Sequence, residues 1–183
     1  MKNIKIYWRE ILRYGSILSV LFTAVVLISY LIEPLIWAND FPPEVQEKIG
    51  EVPAETIQKA VIVLVVILTL MIVLPVLLSR TIIKTNQSQG SFLNLLVNSF
   101  LLLNFMNLFD ALVVDILIFG MIQPDFMWIE GAEDYIREYV TPAFHFIGFL
   151  KGQPYMVVTA LLAAGISVLL KGRFSKAKTL LNE

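Results

Sequence analysis

The sequence predicts an all-α membrane protein built as a bundle of four transmembrane helices. The chain has 183 residues, of which 57% are hydrophobic and 16% are charged, whereas a soluble domain is about 45–50% apolar and about 25% charged. The apolar excess is concentrated in four long segments, and the basic and acidic residues are separated among the stretches that flank them. We therefore expect residues 1–183 to form a single transmembrane domain.

Four segments are long and apolar enough, or nearly so, to cross a bilayer, whose core of about 30 Å requires about 20 helical residues. The first carries one charge, Glu33, and the second is interrupted by Pro75. The third contains several polar residues, and the fourth is short but uncharged. The predicted spans are residues 14–37, 60–79, 92–122 and 155–170, with loops at 38–59 and 123–154.

The distribution of charge orients these spans. The N-terminal tail, the loop at 80–91 and the C-terminal tail together hold ten of the 14 basic residues and two of the 15 acids. The other two loops hold ten acids and four basic residues. Because basic residues in short loops stay in the cytoplasm, we expect both termini inside and both acidic loops outside a bacterial cytoplasmic membrane. The first span is too long for a signal peptide and should be retained.

The loop at 123–154 is predicted to contain two short helices. The first covers about residues 132–140, and the second follows Thr141, a suitable N-cap, with Pro142 at its first helical position. The nine residues of this second helix rise only about 14 Å, which is too short to cross a membrane. We favour an interfacial helix that runs into the fourth span. A re-entrant element and the outer half of a long fourth helix kinked near Pro154 are the alternatives.

The third span is unusually polar. At about 100° per residue, four of its six Asn and Asp residues share an arc about 140° wide. A polar arc on a helix in lipid must face protein or water, so we expect this helix at the centre of the bundle or along a cavity. Asn104, Asn107, Asp110 and Asp115 form the arc, and Asn94 and Asn98 lie apart from it.

The acids of the membrane segments need compensation, because an ionised Asp at the bilayer centre costs at least about 2.5–3.5 kcal/mol. No Lys or Arg lies inside a predicted span. We expect Asp115 to pair with His145 or with a basic residue of the outer boundary, and Asp110 to be protonated or held by amides and hydroxyls. Glu33 lies at a depth comparable to that of Asp115. The predicted binding residues are Glu33, Asn104, Asn107, Asp110, Asp115 and His145.

Three functions are consistent with this pattern. The first is an outward-facing site for a small ligand, cation or proton, in a protein related to transport. The second is an accessory or assembly subunit that docks on another membrane protein through the polar third span. The third is a membrane enzyme that uses His145 and Asp115 as acid–base partners. A purely structural role, in which the polar residues hydrogen-bond helices together at about 0.6 kcal/mol per bond, competes with all three.

Composition also sets limits on the chemistry. The chain has no Cys and one His, which excludes a disulfide framework, a thiolate zinc site and a multi-His metal site within one chain. We assign no catalytic residue, metal or cofactor. The basic residues form three short clusters without an aromatic platform, so no nucleic-acid partner is expected. The expected partners are the lipid bilayer and either further copies of this chain or another membrane protein.

One pattern in the C-terminal half resembles known sequences. It consists of residues 107–115 (NLFDALVVD), then 124–126 (PDF), then 143–152 (AFHFIGFLKG). This pattern is similar to one found in small bacterial four-span integral membrane proteins of unassigned function. The resemblance implies that the third span and the segment that carries His145 belong to one unit, and it implies no activity.

Overall fold

The computed structural model describes residues 4–86 and 89–179, and it describes side chains for residues 4–86 and 89–171. Among these residues, four helices are long and apolar enough to cross a membrane, which confirms the predicted helical bundle. Several basic residues of the predicted cytoplasmic face, Lys2, Arg173, Lys176 and Lys178, have side chains outside the described part of the chain.

The helices follow one another with short connections. Two helices, α2 and α5, are short and lie in the loops predicted to be outside. The third span starts as an α-helix, α4, and continues as a π-helix, which we call the π segment. The elements are α1 (Trp8–Ile32), a 3-10 turn (Pro34–Asp40), α2 (Pro43–Ile49), α3 (Ala54–Thr85), α4 (Phe92–Phe109), the π segment (Asp110–Ile122), a second 3-10 turn (Asp125–Met127), α5 (Glu133–Tyr139) and α6 (Pro142–Thr179).

The first two spans begin and end at different residues from those predicted. Helix α1 ends at Ile32, and the chain continues through Glu33 into the 3-10 turn that starts at Pro34. Proline restricts the preceding residue and lacks the N–H that would continue the helix, so the apolar run extends past the helix end. Helix α3 is longer than its apolar core, because polar residues at both ends continue the helix, and it contains Pro75.

The expected interfacial helix is instead the first part of α6. This helix runs without a break from Pro142 through Pro154, and its span covers Pro142–Lys171. Thr141 caps it as predicted, because the backbone N–H of Phe144 donates to Thr141 Oγ1 over 3.3 Å. A proline within a membrane helix is tolerated where neighbouring groups satisfy the freed carbonyl, so Pro154 does not end the helix. The other predicted short helix is present as α5.

The chain divides into two compact units, and each of the four long helices contributes to both. Unit 1 contains residues 1–19, 69–107 and 152–183. Unit 2 contains residues 20–68 and 108–151.

In unit 1, two asparagines of α4 hold the N-terminal segment. Asn94 Oδ1 accepts from the backbone N–H of Lys5 over 2.8 Å, and Asn98 Oδ1 accepts from that of Tyr7 over 2.9 Å. The Asn98 amide also donates to the Lys5 carbonyl. Lys5 and Tyr7 are two residues apart, which is about 6.8 Å in extended chain. Asn94 and Asn98 are four residues apart, which is about 6 Å along a helix, so each asparagine lies opposite one backbone N–H. This clamp accounts for the two asparagines that lie outside the polar arc.

Unit 2 has its own hydrophobic core beside the outer loops. Helix α2 packs against α5, and Val45 of α2 and Ile136 of α5 are fully buried. Phe41 and Met127 of the connecting turns are buried in the same cluster. The apolar residues of these loops therefore form a packed layer on unit 2, which the sequence showed only as isolated apolar runs.

Candidate functional site

The expected pairing of Asp115 and His145 is present in unit 2. His145 Nδ1 lies 3.4 Å from Asp115 Oδ2, which is an ion-pair distance and longer than a strong hydrogen bond. His145 is only 6% exposed, whereas the Asp115 side chain is 27% exposed. The carboxylate is thus the more accessible partner of a largely enclosed pair.

The π segment determines how the two aspartates are arranged. In an α-helix, residues five apart are separated by about 140° around the axis. In a π-helix the backbone bonds join residues five apart, so Asp110 and Asp115 fall on the same side. The bond from Gln123 N–H to the Ile118 carbonyl, 2.8 Å, shows this winding at the segment's end. The negative charges of the two carboxylates interact with each other as a result.

Tyr30 of α1 lies beside these acids. Its hydroxyl is within electrostatic reach of Asp40, Asp110 and Asp115. The ring is held by aromatic contacts, being stacked on Trp37 with the centroids 5.7 Å apart and tilted against Phe119 at 4.6 Å. Tyr30 therefore contacts both the first 3-10 turn, through Trp37, and the π segment, through Phe119.

Asp40 adds a third carboxyl group to this region. The residue is reachable from the surface, but the surrounding protein atoms desolvate its carboxyl. This desolvation, with the negative charge of Asp115 as a second cause, raises the pKa of Asp40 above its ordinary value. The site accordingly contains several carboxyl groups that oppose each other's ionisation.

Two buried polar atoms of unit 2 have no hydrogen-bond partner within the described residues. They are His145 Nε2 and Thr23 Oγ1. A neutral imidazole that donates from Nδ1 to Asp115 carries its acceptor lone pair on Nε2. Buried polar groups in proteins are nearly always paired, so His145 Nε2, which belongs to the Asp115–His145 pair, is suited to contact a bound species.

The predicted member Glu33 is engaged elsewhere. Its carboxylate accepts a short hydrogen bond from Thr56 and contacts Lys59 Nζ at 2.9 Å, both near the start of α3. These hydrogen bonds, the one from Thr56 first, lower the pKa of Glu33. In the described residues its contacts are thus with α3 rather than with Asp115 or His145, because α1 ends before Glu33 and the turn directs the residue to the second span.

The two predicted asparagines belong to unit 1. The Asn104 amide donates to the Phe100 carbonyl of its own helix over 3.0 Å. Asn107 packs against Gly152 of α6, where a Cβ would lie 3.0 Å from Asn107 Oδ1. Both asparagines therefore make contacts within unit 1, whereas Asp110, Asp115 and His145 belong to unit 2.

Two of the basic residues at the predicted outer boundary, Lys59 and Arg137, have other contacts. Lys59 pairs with Glu33 and with Glu55. The guanidinium of Arg137 lies over the Trp128 ring, 4.9 Å from its centroid. In the described part of the chain, no group of three His, Cys, Asp or Glu side chains is arranged to hold a metal ion.

Sequence reasoning missed Tyr30 and Asp40 as members of this region. Tyr30 was hidden within an apolar run, and Asp40 was one of ten acids assigned to solvated loops. The spacing of Tyr30 and Trp37, seven residues apart, is a signal of a shared face in a continuous helix. A turn separates the two here, so their stacking depends on the tertiary structure.

The fold and these contacts define a class, a multi-pass helical membrane protein with a cluster of carboxyl groups and a histidine in one of its units. Comparison with protein families, with curated proteins and with solved structures found no match to this chain. The function must therefore be argued from the site itself.

Proposed function

We propose that this protein binds a small, partly hydrated monovalent cation in exchange for a proton, at an outward-facing site around the carboxyl groups of Asp110 and Asp115, with His145 beside Asp115. The observation that supports the proposal most directly is the Asp115–His145 contact, in which the buried Nε2 has no partner. Such a site would serve transport or sensing of the cation.

The balance of charge in unit 2 favours a cation. Three carboxyl groups, those of Asp40, Asp110 and Asp115, lie within electrostatic reach of Tyr30. Lys59 and Arg137 contact other groups. Carboxyl groups in a membrane protein require a proton, a cation or several donors, and His145 provides only one charge when protonated.

The same argument links the cation to a proton. Mutually repelling carboxyl groups share protons when no cation is bound. A monovalent cation that enters the site lets both aspartates ionise, and one proton leaves to solvent for each cation bound. Cation affinity should therefore fall as pH is lowered.

Orientation, location and assembly belong to the same proposal. The excess of basic residues at both termini and in the loop at 80–91 supports cytoplasmic termini. With cytoplasmic termini, both acidic loops would lie on the outer side of a bacterial cytoplasmic membrane. Four helices enclose little volume, so a continuous pathway would form more easily between copies of the chain in a homo-oligomer.

The test is proton release by the purified full-length protein in detergent, at low buffer capacity. Sodium, potassium and choline chlorides are added in turn, and an indicator dye reports the proton. We expect at least one cation to release protons saturably from the wild type. In Asp110→Asn and Asp115→Asn the release should fall about ten-fold, which corresponds to the loss of about 1.4 kcal/mol of binding.

Asp125→Asn is the matched control, because Asp125 is an exposed aspartate of the second 3-10 turn. It should release protons as the wild type does. The proposal is wrong if no cation releases protons from the wild type, or if the control and the two site variants lose release equally. Circular dichroism spectra would establish that all variants remain folded.

The acid–base enzyme is a second candidate, because Asp115 and His145 lie 3.4 Å apart, within the reach of one bridging water. The docking subunit has less support. It requires a polar arc that is unsatisfied within the chain, whereas Asn104 bonds to the Phe100 carbonyl and Asp115 contacts His145.

A further inference from the structure

The described side chains of unit 1 carry a large excess of positive charge. They include six basic residues and one acid, Glu10. Because one carboxylate can offset only one of the six charges, this unit attracts anions. The basic residues are Lys5, Arg9, Arg13, Arg80, Lys84 and Lys171.

Three contacts bring the helix ends that carry these charges together. Tyr14 Oη of α1 lies 2.9 Å from Thr81 Oγ1 of α3. Lys171 Nζ of α6 donates to the Gly90 carbonyl, just before α4, over 3.1 Å. The asparagine clamp described above joins α4 to the segment that precedes α1. The basic residues near these helix ends therefore lie at one end of unit 1.

The contact between α1 and α3 holds two cations of this surface near each other. The Arg13 guanidinium lies over the Tyr14 ring, 5.6 Å from its centroid. Thr81 Oγ1 donates to the Leu77 carbonyl over 3.1 Å, so the Tyr14 hydroxyl is the donor in its bond to Thr81. Lys84 follows Thr81 by three residues, on the same side of α3. The Tyr14–Thr81 bond thus holds Arg13 beside the turn of α3 that carries Lys84.

Both cations lie at the depth of the lipid headgroups. The predicted first span starts at residue 14 and the second ends at residue 79. Along their helices, Arg13 is therefore about 1.5 Å and Lys84 about 7.5 Å outside the apolar segments. The headgroup layer on each side of a bilayer is about 5–8 Å thick, so a lipid phosphate lies at the level of these side chains.

Exposed apolar side chains continue from this place towards the membrane interior. Ile17 is four residues after Arg13 in α1 and is 42% exposed. Leu77 is four residues before Thr81 in α3 and is 36% exposed. Residues four apart share a face of a helix. A ligand at the α1–α3 contact therefore meets positive charge at one end and apolar surface at the other.

We propose that Arg13 and Lys84 bind the phosphate of an anionic phospholipid, whose acyl chains lie against Ile17 and Leu77. Charge-assisted hydrogen bonds from a guanidinium or an ammonium to phosphate are strong, and Arg can donate two in parallel. A zwitterionic lipid carries its own ammonium group, which the excess of positive charge repels, so a headgroup with net negative charge is preferred. The site uses only residues of unit 1 and does not depend on the cation site proposed for unit 2.

The test is native mass spectrometry of the purified full-length protein in detergent, which measures the Kd of the first bound lipid. Dioleoyl phosphatidylglycerol and dioleoyl phosphatidylcholine are added separately, and we expect the first to bind more tightly. Arg13→Gln and Lys84→Gln should each weaken its binding about five-fold, the factor expected for one basic residue near an anionic lipid surface. Equal affinity of the wild type for the two lipids would overturn the proposal.

Arg137→Gln is the matched control. Arg137 also lies over an aromatic ring, that of Trp128 at 4.9 Å, but it belongs to unit 2. This variant loses the same charge and should bind phosphatidylglycerol as the wild type does. An equal loss in Arg137→Gln and Arg13→Gln would show an effect of net charge alone and would contradict the site.

Two further measurements separate a lipid site from its alternatives. sn-Glycerol 1-phosphate, added at the lipid concentration, should not displace phosphatidylglycerol, because it has no acyl chains; displacement would show a site for free phosphate instead. Phosphatidylglycerol should also raise the thermal unfolding temperature of the wild type and Arg137→Gln more than that of Arg13→Gln and Lys84→Gln. A rise of the same size in all four proteins would contradict the proposal.

Discussion

The two nitrogens of His145 have different surroundings, and this difference gives the residue its proposed role. Nδ1 faces the Asp115 carboxylate at 3.4 Å, and Nε2 is buried with no partner. A carboxylate on the Nδ1 side favours the neutral form that carries its proton on Nδ1, in which Nε2 is the acceptor. A histidine with both nitrogens bonded to backbone would have been a structural residue only.

The Glu33 carboxylate contacts Thr56 and Lys59 at the start of α3, so we expect it to contribute to stability. We expect Glu33→Gln to lower the thermal unfolding temperature more than Glu55→Gln does, since the Glu33 side chain is 21% exposed and that of Glu55 is 78% exposed. Both residues contact Lys59, so Glu55→Gln is a matched control. Thermal unfolding in detergent measures both variants.

The effect of Glu33→Gln should also depend on pH. Because the pKa of Glu33 is lowered in the folded state, its contribution to stability is complete above its ordinary value of 4.5 and is lost as pH falls through the lowered pKa. The difference between the wild type and Glu33→Gln should therefore begin to shrink as pH falls below about 4.5 and should vanish below the lowered pKa. A constant difference in unfolding temperature at all pH values would contradict this assignment.

For Asp40 we expect the opposite dependence of stability on pH. Its pKa is raised, so its contribution is complete below its ordinary value of 3.8 and is lost as pH rises through the raised pKa. Asp40→Asn should raise the unfolding temperature at about pH 8 and have little effect at about pH 3. Exposed Asp125, replaced by Asn, is the control. An effect of Asp40→Asn that does not grow with pH would be evidence against desolvation of this carboxyl.

Among the elements, the π segment has the largest influence on the candidate site. In an α-helical third span, Asp110 and Asp115 would lie about 140° apart around the helix axis. The i to i+5 winding aligns them instead. π-helical turns are rare and occur often at functional sites, which is consistent with placing the proposed cation site here.

Close packing of α1 against α4 within unit 1 yields a prediction for the glycines. A Cβ at Gly15 would lie 2.7 Å from Phe105 Cδ1, whereas one at Gly165 would meet no atom within 4 Å. We expect Gly15→Ala to cost about 1–3 kcal/mol through overpacking. Gly165→Ala should leave stability unchanged or raise it by up to about 1 kcal/mol, because alanine favours helix.

Thermal unfolding of both glycine variants in the same detergent tests this difference. The double variant Gly15→Ala with Phe105→Leu should recover part of the loss, since a smaller side chain makes room for the methyl group. If Gly15→Ala is as stable as Gly165→Ala, the two helices do not approach as closely as described.

For the whole molecule, the charge pattern predicts which residues face the cytoplasm. Single cysteines at positions 4, 47, 85 and 134, replacing Ile4, Glu47, Thr85 and Asp134, lie in exposed parts of the chain without other thiols. In intact bacterial cells, a membrane-impermeant maleimide should label only positions 47 and 134. After permeabilisation, all four should react. Labelling of position 4 or 85 in intact cells would reverse the proposed orientation.

The sequence by itself determined that four helices are long and apolar enough to cross a membrane, because hydropathy and segment length depend on composition alone. It also predicted that Asp115 would pair with His145 or with a basic residue of the outer boundary, and the structure shows the contact with His145. The cap at Thr141 followed from local backbone chemistry alone.

Only the tertiary structure decided the composition of the site. The turn after Ile32 brings Glu33 to Lys59, α6 continues through Pro154, and Tyr30 and Asp40 lie near the aspartates. The winding of the π segment and the bonding of Asn94 and Asn98 to the N-terminal backbone were equally hidden. These features depend on which helices pack together and on where each helix begins and ends. The hydropathy of the sequence contains no information about helix packing and little about the exact helix ends.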